Sequence, residues 1–126
     1  MSDTMIYGCD LIKEYAISRG ILKRKGVLKA VDGVTLRVNK GEVLGLVGES
    51  GCGKSMTALS MMGLLSDKII AEHQGELLWR GENLSSACNQ RWRKLRGKEM
   101  AMIFQEPMTA LNPVLTIHEQ LDEALK

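Results

Sequence analysis

The chain has 126 residues, of which 44% are hydrophobic and 25% charged, a composition typical of one ordinary globular domain. Its 17 basic and 15 acidic side chains give a formal net charge of +2, too even a balance to indicate a nucleic-acid or anionic-membrane partner. Three widely spaced cysteines, Cys9, Cys52 and Cys88, form no C-x-x-C pair and indicate neither a disulfide framework nor a zinc site.

Two strands are predicted in the first forty residues, at Met5 to Leu11 and at Val34 to Val38. Ser18 to Lys29 lies between them, carries five basic side chains and is predicted to be a solvated loop. A nucleic-acid role is the alternative for this segment, but it has no interleaved aromatic residues on which bases could stack. We therefore predict no nucleic-acid partner.

A short apolar run, a glycine-rich loop and a helical pattern follow one another in the next segment. Val43 to Val47 has the apolar character of a strand that is buried on both faces. Met56 to Leu65 has apolar residues at helical spacing and contains no proline. Gly48 to Ser55, between them, has the sequence Gly-Glu-Ser-Gly-Cys-Gly-Lys-Ser, which matches the phosphate-binding P-loop pattern. Strand, loop and helix thus occur in the order that a P-loop requires.

Each residue type in this loop has a physical role in holding a triphosphate. Gly48, Gly51 and Gly53 let the chain adopt positive φ and bring its N–H groups close to the phosphates. Lys54 supplies a mobile positive charge, and the hydroxyl of Ser55 can ligate Mg²⁺. The helix that begins there directs the positive end of its dipole at the same anion. We therefore predict that ATP or another nucleoside triphosphate binds here together with Mg²⁺.

Other interpretations of the loop are weaker. Gly-Cys-Gly at 51–53 begins a dinucleotide-binding fingerprint, but Met56 stands where its third glycine belongs. The Cys52 thiol could be an oxidation target, although a small neutral loop residue is the simpler interpretation. Met56, Met61 and Met62 are interpreted as core side chains rather than as a metal-binding stripe.

Further elements are predicted after the loop. Gly75 to Gly81 indicates a strand that ends in a turn, and Asn89 to Lys98 a basic helix. Met100 to Phe104 is a second apolar run, predicted to be a strand with Gln105 at its end. Ligands bind outside the carboxyl ends of parallel strands, so Gln105 and the phosphate loop are expected at the same rim. Thr116 to Glu119 has capping-box spacing, which predicts a final helix.

The phosphate loop and a second motif together resemble a known family. Ile103 to Pro113 has the sequence Ile-Phe-Gln-Glu-Pro-Met-Thr-Ala-Leu-Asn-Pro. With Gly48 to Ser55, it resembles the ATPase subunits of ABC transporters, in particular those of importers for dipeptides, oligopeptides and nickel. Ala30 to Val34 and Gly41 to Val43 are similar to that subfamily as well. The resemblance implies an α/β P-loop NTPase core, with a mixed sheet around the phosphate-loop strand and its helix.

The resemblance also implies roles for individual residues. The ATP-binding Walker A segment would comprise Gly48, Glu49, Ser50, Gly51, Cys52, Gly53, Lys54, Ser55 and Met56. Gln105 would be the Q-loop glutamine, which positions the attacking water and, with Ser55, binds Mg²⁺; an ordinary polar residue that starts a loop is the alternative. Tyr15 follows Asp10 to Glu14 at the family's spacing and would stack on adenine, the alternative being a half-buried tyrosine at a strand end.

The same resemblance places further machinery beyond Lys126. The 126 residues contain no Leu-Ser-Gly-Gly-Gln signature, no Walker B Asp-Glu and no switch histidine. We therefore expect an N-terminal part of the nucleotide-binding domain, with residues 114–126 beginning its helical subdomain. It should bind nucleotide without efficient hydrolysis. Without a Walker B strand as its neighbour, the run at 43–47 would present an apolar edge, so the isolated chain is expected to aggregate.

Partners and location follow from the resemblance too. It implies transmembrane permease subunits and a second ATP-binding subunit, on the cytoplasmic face of the cell membrane. No stretch approaches the roughly 18 apolar residues of a membrane span, so direct insertion is not expected. Two other functions stay open: a stand-alone regulatory module that binds nucleotide without hydrolysis, and another P-loop NTPase such as a small GTPase or kinase. A downstream reading frame with the signature and Walker B motifs would exclude the first, and a preference for guanine nucleotides would favour the second.

Overall fold

The computed structural model describes residues 3–19, 24–65 and 70–126. In chain order its elements are β1 (Thr4–Arg19), β2 (Arg24–Asn39), α1 (Lys54–Met61), β3 (Ile70–Trp79), β4 (Glu82–Asn83), α2 (Asn89–Leu95), a 3₁₀ turn (Pro107–Thr109) and α3 (Ile117–Leu125). The strands form an antiparallel sheet in the order β2-β1-β3-β4. Among the described residues no helix is long and apolar enough to cross a membrane.

The first two strands form a hairpin that is longer than the sequence predicts. The strands expected at 5–11 and 34–38 are confirmed, and their pairing continues as far as Arg19 opposite Arg24. The prediction of a basic loop over 18–29 is therefore wrong for the described part of that segment, whereas residues 20–23 lie outside the described residues. Backbone hydrogen bonds alone can extend a hairpin, and basic side chains do not prevent this.

A β-bulge interrupts β1 between Gly8 and Leu11. Asp10 has a φ of 47°, and its N–H donates to the Thr35 hydroxyl at 2.9 Å. Gly75, on the neighbouring strand β3, lies against the bulge with a φ of 98°. A Cβ at this position would lie 2.5 Å from the Asp10 carbonyl oxygen. Only glycine fits this position without displacing the neighbouring strand.

The hydrophobic core lies on one face of the sheet. Its buried side chains come from the strands and from the segment that carries α2: Ile6, Leu11, Val31, Leu77, Trp79, Leu84, Trp92, Leu95 and Met100. Met56, Met61 and Met62 pack against this cluster, as the interpretation of them as core side chains predicts. At the edge of the core, Arg91 donates to both oxygens of Glu82 at 2.7 and 2.6 Å, and these bonds hold the pKa of Glu82 below its usual value.

The two apolar runs predicted as buried strands differ from the prediction. Residues 43–47 form no strand, and the side chains of Val43 and Val47 are 96% and 94% exposed. Of the second run, Met100 is buried, but residues 101–104 are unpaired and Ile103 is 97% exposed. An extended segment becomes a strand only where a neighbour supplies hydrogen bonds, and none of the described segments does so here. The prediction of a mixed sheet around the phosphate-loop strand is thus wrong for the described residues, whose sheet is antiparallel.

The other predicted elements are present with shifted ends. α1 and α2 end at Met61 and Leu95, earlier than predicted, whereas β3 begins at Ile70, before the predicted start of its strand. The turn at its end is confirmed, because Arg80 and Gly81 have φ values of 48° and 83° and connect β3 to β4. The capping box of α3 is confirmed as well: the N–H and hydroxyl of Thr116 donate to Glu119, whose own N–H donates to the Thr116 hydroxyl.

Candidate nucleotide-binding site

The glycine-rich loop has the backbone geometry that its glycines permit. Gly51 and Gly53 adopt φ values of 82° and 97°, in the left-handed region that favours glycine. The expectation of positive φ is wrong for Gly48, whose lack of a side chain instead permits a close approach within the loop. A Cβ on Gly48 would lie 2.6 Å from the Cys52 sulfur, and one on Gly53 would lie 2.7 Å from the Ala30 carbonyl oxygen. The loop therefore folds closely on itself at its start and against β2 at its end.

Helix α1 begins directly after the loop and is held at its N-terminus by Thr57. Gly53 is the N-cap, and the first turn has neither a side-chain cap nor an acidic residue. The N–H and the hydroxyl of Thr57 both donate to the Gly53 carbonyl oxygen, at 2.9 and 3.0 Å. The N–H groups of the first turn and the positive end of the helix dipole are thus available to an anion.

The other end of α1 is held from α2. The Arg96 guanidinium donates through Nε to the Met62 carbonyl oxygen at 2.9 Å and through Nη2 to the Gly63 carbonyl oxygen. It also lies over the Trp92 ring, 4.9 Å from the centroid. Carbonyl groups that the end of a helix leaves unpaired are satisfied in this way. One end of α1 thus packs against β2 through Gly53, and the other is bonded to the residue that follows α2.

Lys54 extends back across the loop that precedes it. Its ammonium donates to the carbonyl oxygens of Gly48 and Glu49, each at 2.7 Å, and lies 3.7 Å from the Cys52 sulfur. A lysine ammonium has three donors, and sulfur is a weak acceptor. Two strong bonds therefore fix the charge in the loop, and a phosphate oxygen could replace the thiol as the third partner.

The residues present fit a nucleoside triphosphate with Mg²⁺. Gly48, Glu49, Ser50, Gly51, Cys52 and Ser55 are exposed, while Gly53, Lys54 and Met56 are partly buried behind them. Mg²⁺ prefers oxygen ligands and keeps several waters beside substrate phosphates. The exposed Ser55 hydroxyl, in the first turn of α1, is an oxygen of this kind.

Tyr15 lies on the face of the sheet that α1 covers. The register pairs Lys13 with Val31 and Glu14 with Lys29, which leaves Ala30 as an unpaired bulge residue beside Gly53. Side chains alternate along a strand, so Tyr15 shares a face with Lys13 and Leu11. Partial burial raises the pKa of the Tyr15 phenol above its usual 10.0. This position is compatible both with stacking on adenine and with a half-buried tyrosine, so the stacking role stays a prediction.

Gln105 lies at an exposed bend directly after the unpaired run at 101–104. A 3₁₀ turn over Pro107–Thr109 follows it. The role of Gln105 in positioning water and Mg²⁺ stays a prediction, because its side chain is exposed and no contact with the phosphate loop fixes its direction.

Sequence reasoning missed three residues that hold the loop and its helix in place. Ala30 supplies the carbonyl against which Gly53 packs, and Arg96 satisfies carbonyl groups at the end of α1. Neither contact has a local sequence signal, because its partners lie far apart in the chain. Thr57 could have been found, since a threonine in a helix often bonds the carbonyl four residues earlier.

A glycine-rich loop that leads into a helix, with its lysine folded over the loop carbonyls, defines a P-loop nucleotide-binding protein. The family model described as ABC transporter matches residues 31–126. The chain therefore belongs to the ABC transporter family, as the two motifs predict.

Curated relatives are similar over most of the chain. It is 48% identical over 103 residues to the oligopeptide transport ATP-binding protein AppD of Bacillus subtilis, covering 82% of this chain and 31% of AppD. It is 47% identical over 100 residues to the dipeptide transport ATP-binding protein DppD of the same organism, covering 79% of this chain and 30% of DppD. The glutathione import ATP-binding protein GsiA of Salmonella paratyphi A is 46% identical over 104 residues, covering 79% of this chain and 17% of GsiA. The chain thus spans less than a third of the length of these relatives.

Proposed function

We propose that this chain is the nucleotide-binding part of the ATP-binding subunit of an ABC importer for small peptides. The observation that carries the proposal is the position of Lys54, whose ammonium is fixed over the loop by two carbonyl oxygens at 2.7 Å. The uncapped start of α1 adds its N–H groups on the same side. Together they form an anion site of the shape and charge that a triphosphate needs.

Each residue of the site has a role in this proposal. ATP, when bound, supplies the phosphoanhydride bond whose cleavage drives transport. Lys54 neutralises charge at the β- and γ-phosphates, and the Ser55 hydroxyl holds Mg²⁺. Gln105 would be a further Mg²⁺ ligand and would orient the attacking water, and Tyr15 would stack on the adenine.

The 126 residues are proposed to bind nucleotide without efficient turnover. Hydrolysis in this family also needs a Walker B carboxylate pair, a switch histidine and a signature motif from an opposing subunit, and none of these is present in the sequence. Phosphoryl transfer depends on positioning and charge stabilisation by several groups together. Lys54 and Ser55 can therefore hold the phosphates but cannot by themselves activate water.

The cargo is proposed to be a short peptide, because the relatives AppD, DppD and GsiA are named for oligopeptide, dipeptide and glutathione transport. Nickel stays an alternative, since the Q-loop motif resembles that of nickel importers as well. The proposed site binds nucleotide rather than cargo, so its residues do not decide between the two. Transport of a labelled dipeptide or of nickel ions by the assembled importer would distinguish them.

Permease subunits and a second ATP-binding subunit are the proposed partners, on the cytoplasmic face of the membrane. The segment after Gln105 supports this, because its apolar side chains are exposed: Met108 is 91%, Val114 87% and Leu125 85% accessible. Apolar surface of this extent is usually covered, either by a partner or by the remainder of a longer protein. In the full-length protein, substitution of Glu106 or Met108 should impair transport more than nucleotide binding, and equal loss of both would contradict the proposal.

Nucleotide binding and hydrolysis by the purified chain test the proposal directly. A fluorescent ATP analogue and a phosphate-release assay, in the same Mg²⁺ buffer, would compare the parent chain with Lys54→Ala. Lys94→Ala is the matched control, because Lys94 is exposed on α2 and away from the loop. We expect Lys54→Ala to abolish binding, Lys94→Ala to leave it unchanged, and no variant to release phosphate. Binding that does not depend on Lys54 would refute the site, and Lys54-dependent turnover would refute the proposed lack of hydrolysis.

A further inference from the structure

The C-terminal end of α1 lies directly against a buried side chain of α2. Gly63 follows the helix with a φ of 60°, and its N–H donates to the Ser60 carbonyl oxygen at 3.0 Å. A Cβ on Gly63 would lie 2.7 Å from two ring carbons of Trp92, a side chain that is buried in the core. A residue other than glycine could therefore occupy this position only if the helix end moved away from the Trp92 ring.

Arg96 joins the two sides of this contact, and we call Gly63, Trp92 and Arg96 the α1 clamp. The Arg96 guanidinium bonds two successive carbonyl oxygens at the end of α1 while it lies over the Trp92 ring. Its own N–H donates to the Trp92 carbonyl oxygen at 3.0 Å, which fixes its backbone at the end of α2. A planar guanidinium can form such a fork of bonds and stack on a ring at the same time, whereas a lysine ammonium cannot.

The charge of Arg96 is directed at the helix end alone. None of the ion pairs found between residues that the structure describes involves Arg96. Arg91, on the same helix, differs in this respect, because both of its short bonds go to the carboxylate of Glu82. The chain thus offers two arginines near each other in sequence, of which Arg96 bonds the end of α1 and Arg91 bonds the turn that follows β3.

The α1 clamp and the phosphate-binding residues lie at opposite ends of one short helix. Lys54 and Ser55 are the first two residues of α1, which has eight residues and is therefore about 12 Å long. This exceeds the screening length of about 8 Å at physiological salt, so the Arg96 charge adds little to phosphate binding directly. A helix of two turns moves as one body, and a shift at its C-terminal end also displaces its first turn. An influence of Arg96 on the site is therefore carried by the position of α1.

We propose that Arg96 is a positioning residue of the nucleotide site, which holds Lys54 and Ser55 in place by fixing the C-terminal end of α1 against α2. The inference rests on the proposed function, since it assigns a role in nucleotide binding at the phosphate loop. Groups that are already held in their bound positions lose less conformational freedom when the ligand binds. Without Arg96, α1 keeps its contact with β2 at Gly53 but loses the bonds at its other end. Nucleotide binding must then also order the helix.

Titration of a fluorescent ATP analogue with Mg²⁺ tests the inference on the full chain. Changes within a packed network commonly alter binding at a distant site by about 3- to 30-fold, and we expect a loss of this size for Arg96→Ala. Arg91→Ala is the matched control, because it removes a guanidinium and two hydrogen bonds from the same helix without changing the α1 clamp. Its nucleotide affinity should equal that of the parent chain.

Urea titration in the same buffer separates positioning from a loss of stability. If Arg96 only stabilised the fold, the apparent affinity would fall in proportion to the folded fraction and no further. We expect the affinity of Arg96→Ala to fall by more than its folded fraction does. Arg96→Lys should recover part of the affinity, because an ammonium can bond one carbonyl oxygen but cannot form the fork. If Arg96→Ala does not fold, Arg96→Lys and Arg91→Lys provide the same comparison.

Three results would overturn the proposal. They are parent-like affinity in the Arg96 variant, an equal loss in the matched Arg91 variant, and a loss that the folded fraction accounts for. A parent chain that does not bind the ATP analogue would instead refute the proposed function, and the role of Arg96 with it.

Discussion

Alanine substitutions at four glycines in and before the phosphate loop should affect nucleotide affinity to graded extents. Gly53 combines a φ of 97° with a Cβ position 2.7 Å from the Ala30 carbonyl oxygen. Gly51 has a φ of 82° but no atom within 4 Å of the Cβ position. Gly48 has the reverse combination, a Cβ position 2.6 Å from the Cys52 sulfur without positive φ. Gly45 has neither constraint.

These differences predict the size of each effect. A left-handed backbone costs a non-glycine residue about 1–2 kcal/mol. The free loop of Gly51→Ala should relax to avoid this strain and must take it up again to bind nucleotide, so we expect a loss of affinity of up to about 5- to 30-fold. Gly53→Ala adds a clash with the Ala30 carbonyl oxygen, which can be relieved only if α1 moves away from β2. Its nucleotide affinity should therefore fall by more than about 100-fold. Gly45→Ala should bind normally. Gly48→Ala clashes with a side chain, and Cys52→Ala should restore the lost affinity, since the Cys52 Cβ lies 3.9 Å away.

Titration of a fluorescent ATP analogue measures the whole series, and circular dichroism checks that each variant retains its secondary structure. The order of affinities matters more than any single value, because all four changes add the same methyl group. Equal losses at all four positions, or a loss at Gly45 as large as that at Gly53, would refute the argument that the described loop conformation is the one that binds nucleotide.

Three further predictions concern stability and association. Ser60→Ala should raise the free energy of unfolding by about 1 kcal/mol, because its buried hydroxyl has no partner among the described residues. Thr57→Val should lower it by about the same amount, because that hydroxyl donates to a backbone carbonyl at 3.0 Å, and urea titration of both variants measures the contrast. Bonds from the backbone and hydroxyl of Thr116 hold the pKa of Glu119 below its usual 4.5. The resulting stabilisation of α3 is complete above pH 4.5 and is lost as the pH falls through the lowered pKa of Glu119. Over this acidic range the helical signal in circular dichroism should therefore decrease less in Glu119→Gln than in the parent chain. Ile103→Lys should reduce light scattering by the isolated chain, since this side chain is 97% exposed, whereas a monodisperse parent monomer with a sharp reversible thermal transition would contradict the expected aggregation.

The features that could be predicted from the sequence have local causes. The geometry of the phosphate loop depends on glycines within eight residues, and the start of α3 depends on the pair Thr116 and Glu119. The run at 43–47 shows the limit of this reasoning, because its apolar side chains predict burial but a strand needs a neighbour that the run itself cannot specify. The contacts of Ala30 and Arg96 with the ends of α1 were missed for the same reason: they join segments that are distant in the chain.

The bulge in β1 determines on which face of the sheet each of the two tyrosine side chains lies. Tyr7 and Tyr15 are eight residues apart, and in an uninterrupted strand this even spacing would place both rings on one surface. The extra residue near Asp10 shifts the alternation by one step, so that Tyr7 lies on the face opposite the core while Tyr15 shares the face that α1 covers. Gly75 keeps that shift in place, since a side chain there would meet the carbonyl oxygens of the bulge. Gly75, on a different strand, thereby keeps the two tyrosine rings on opposite faces of the sheet, although their spacing in the sequence alone would place them on the same face.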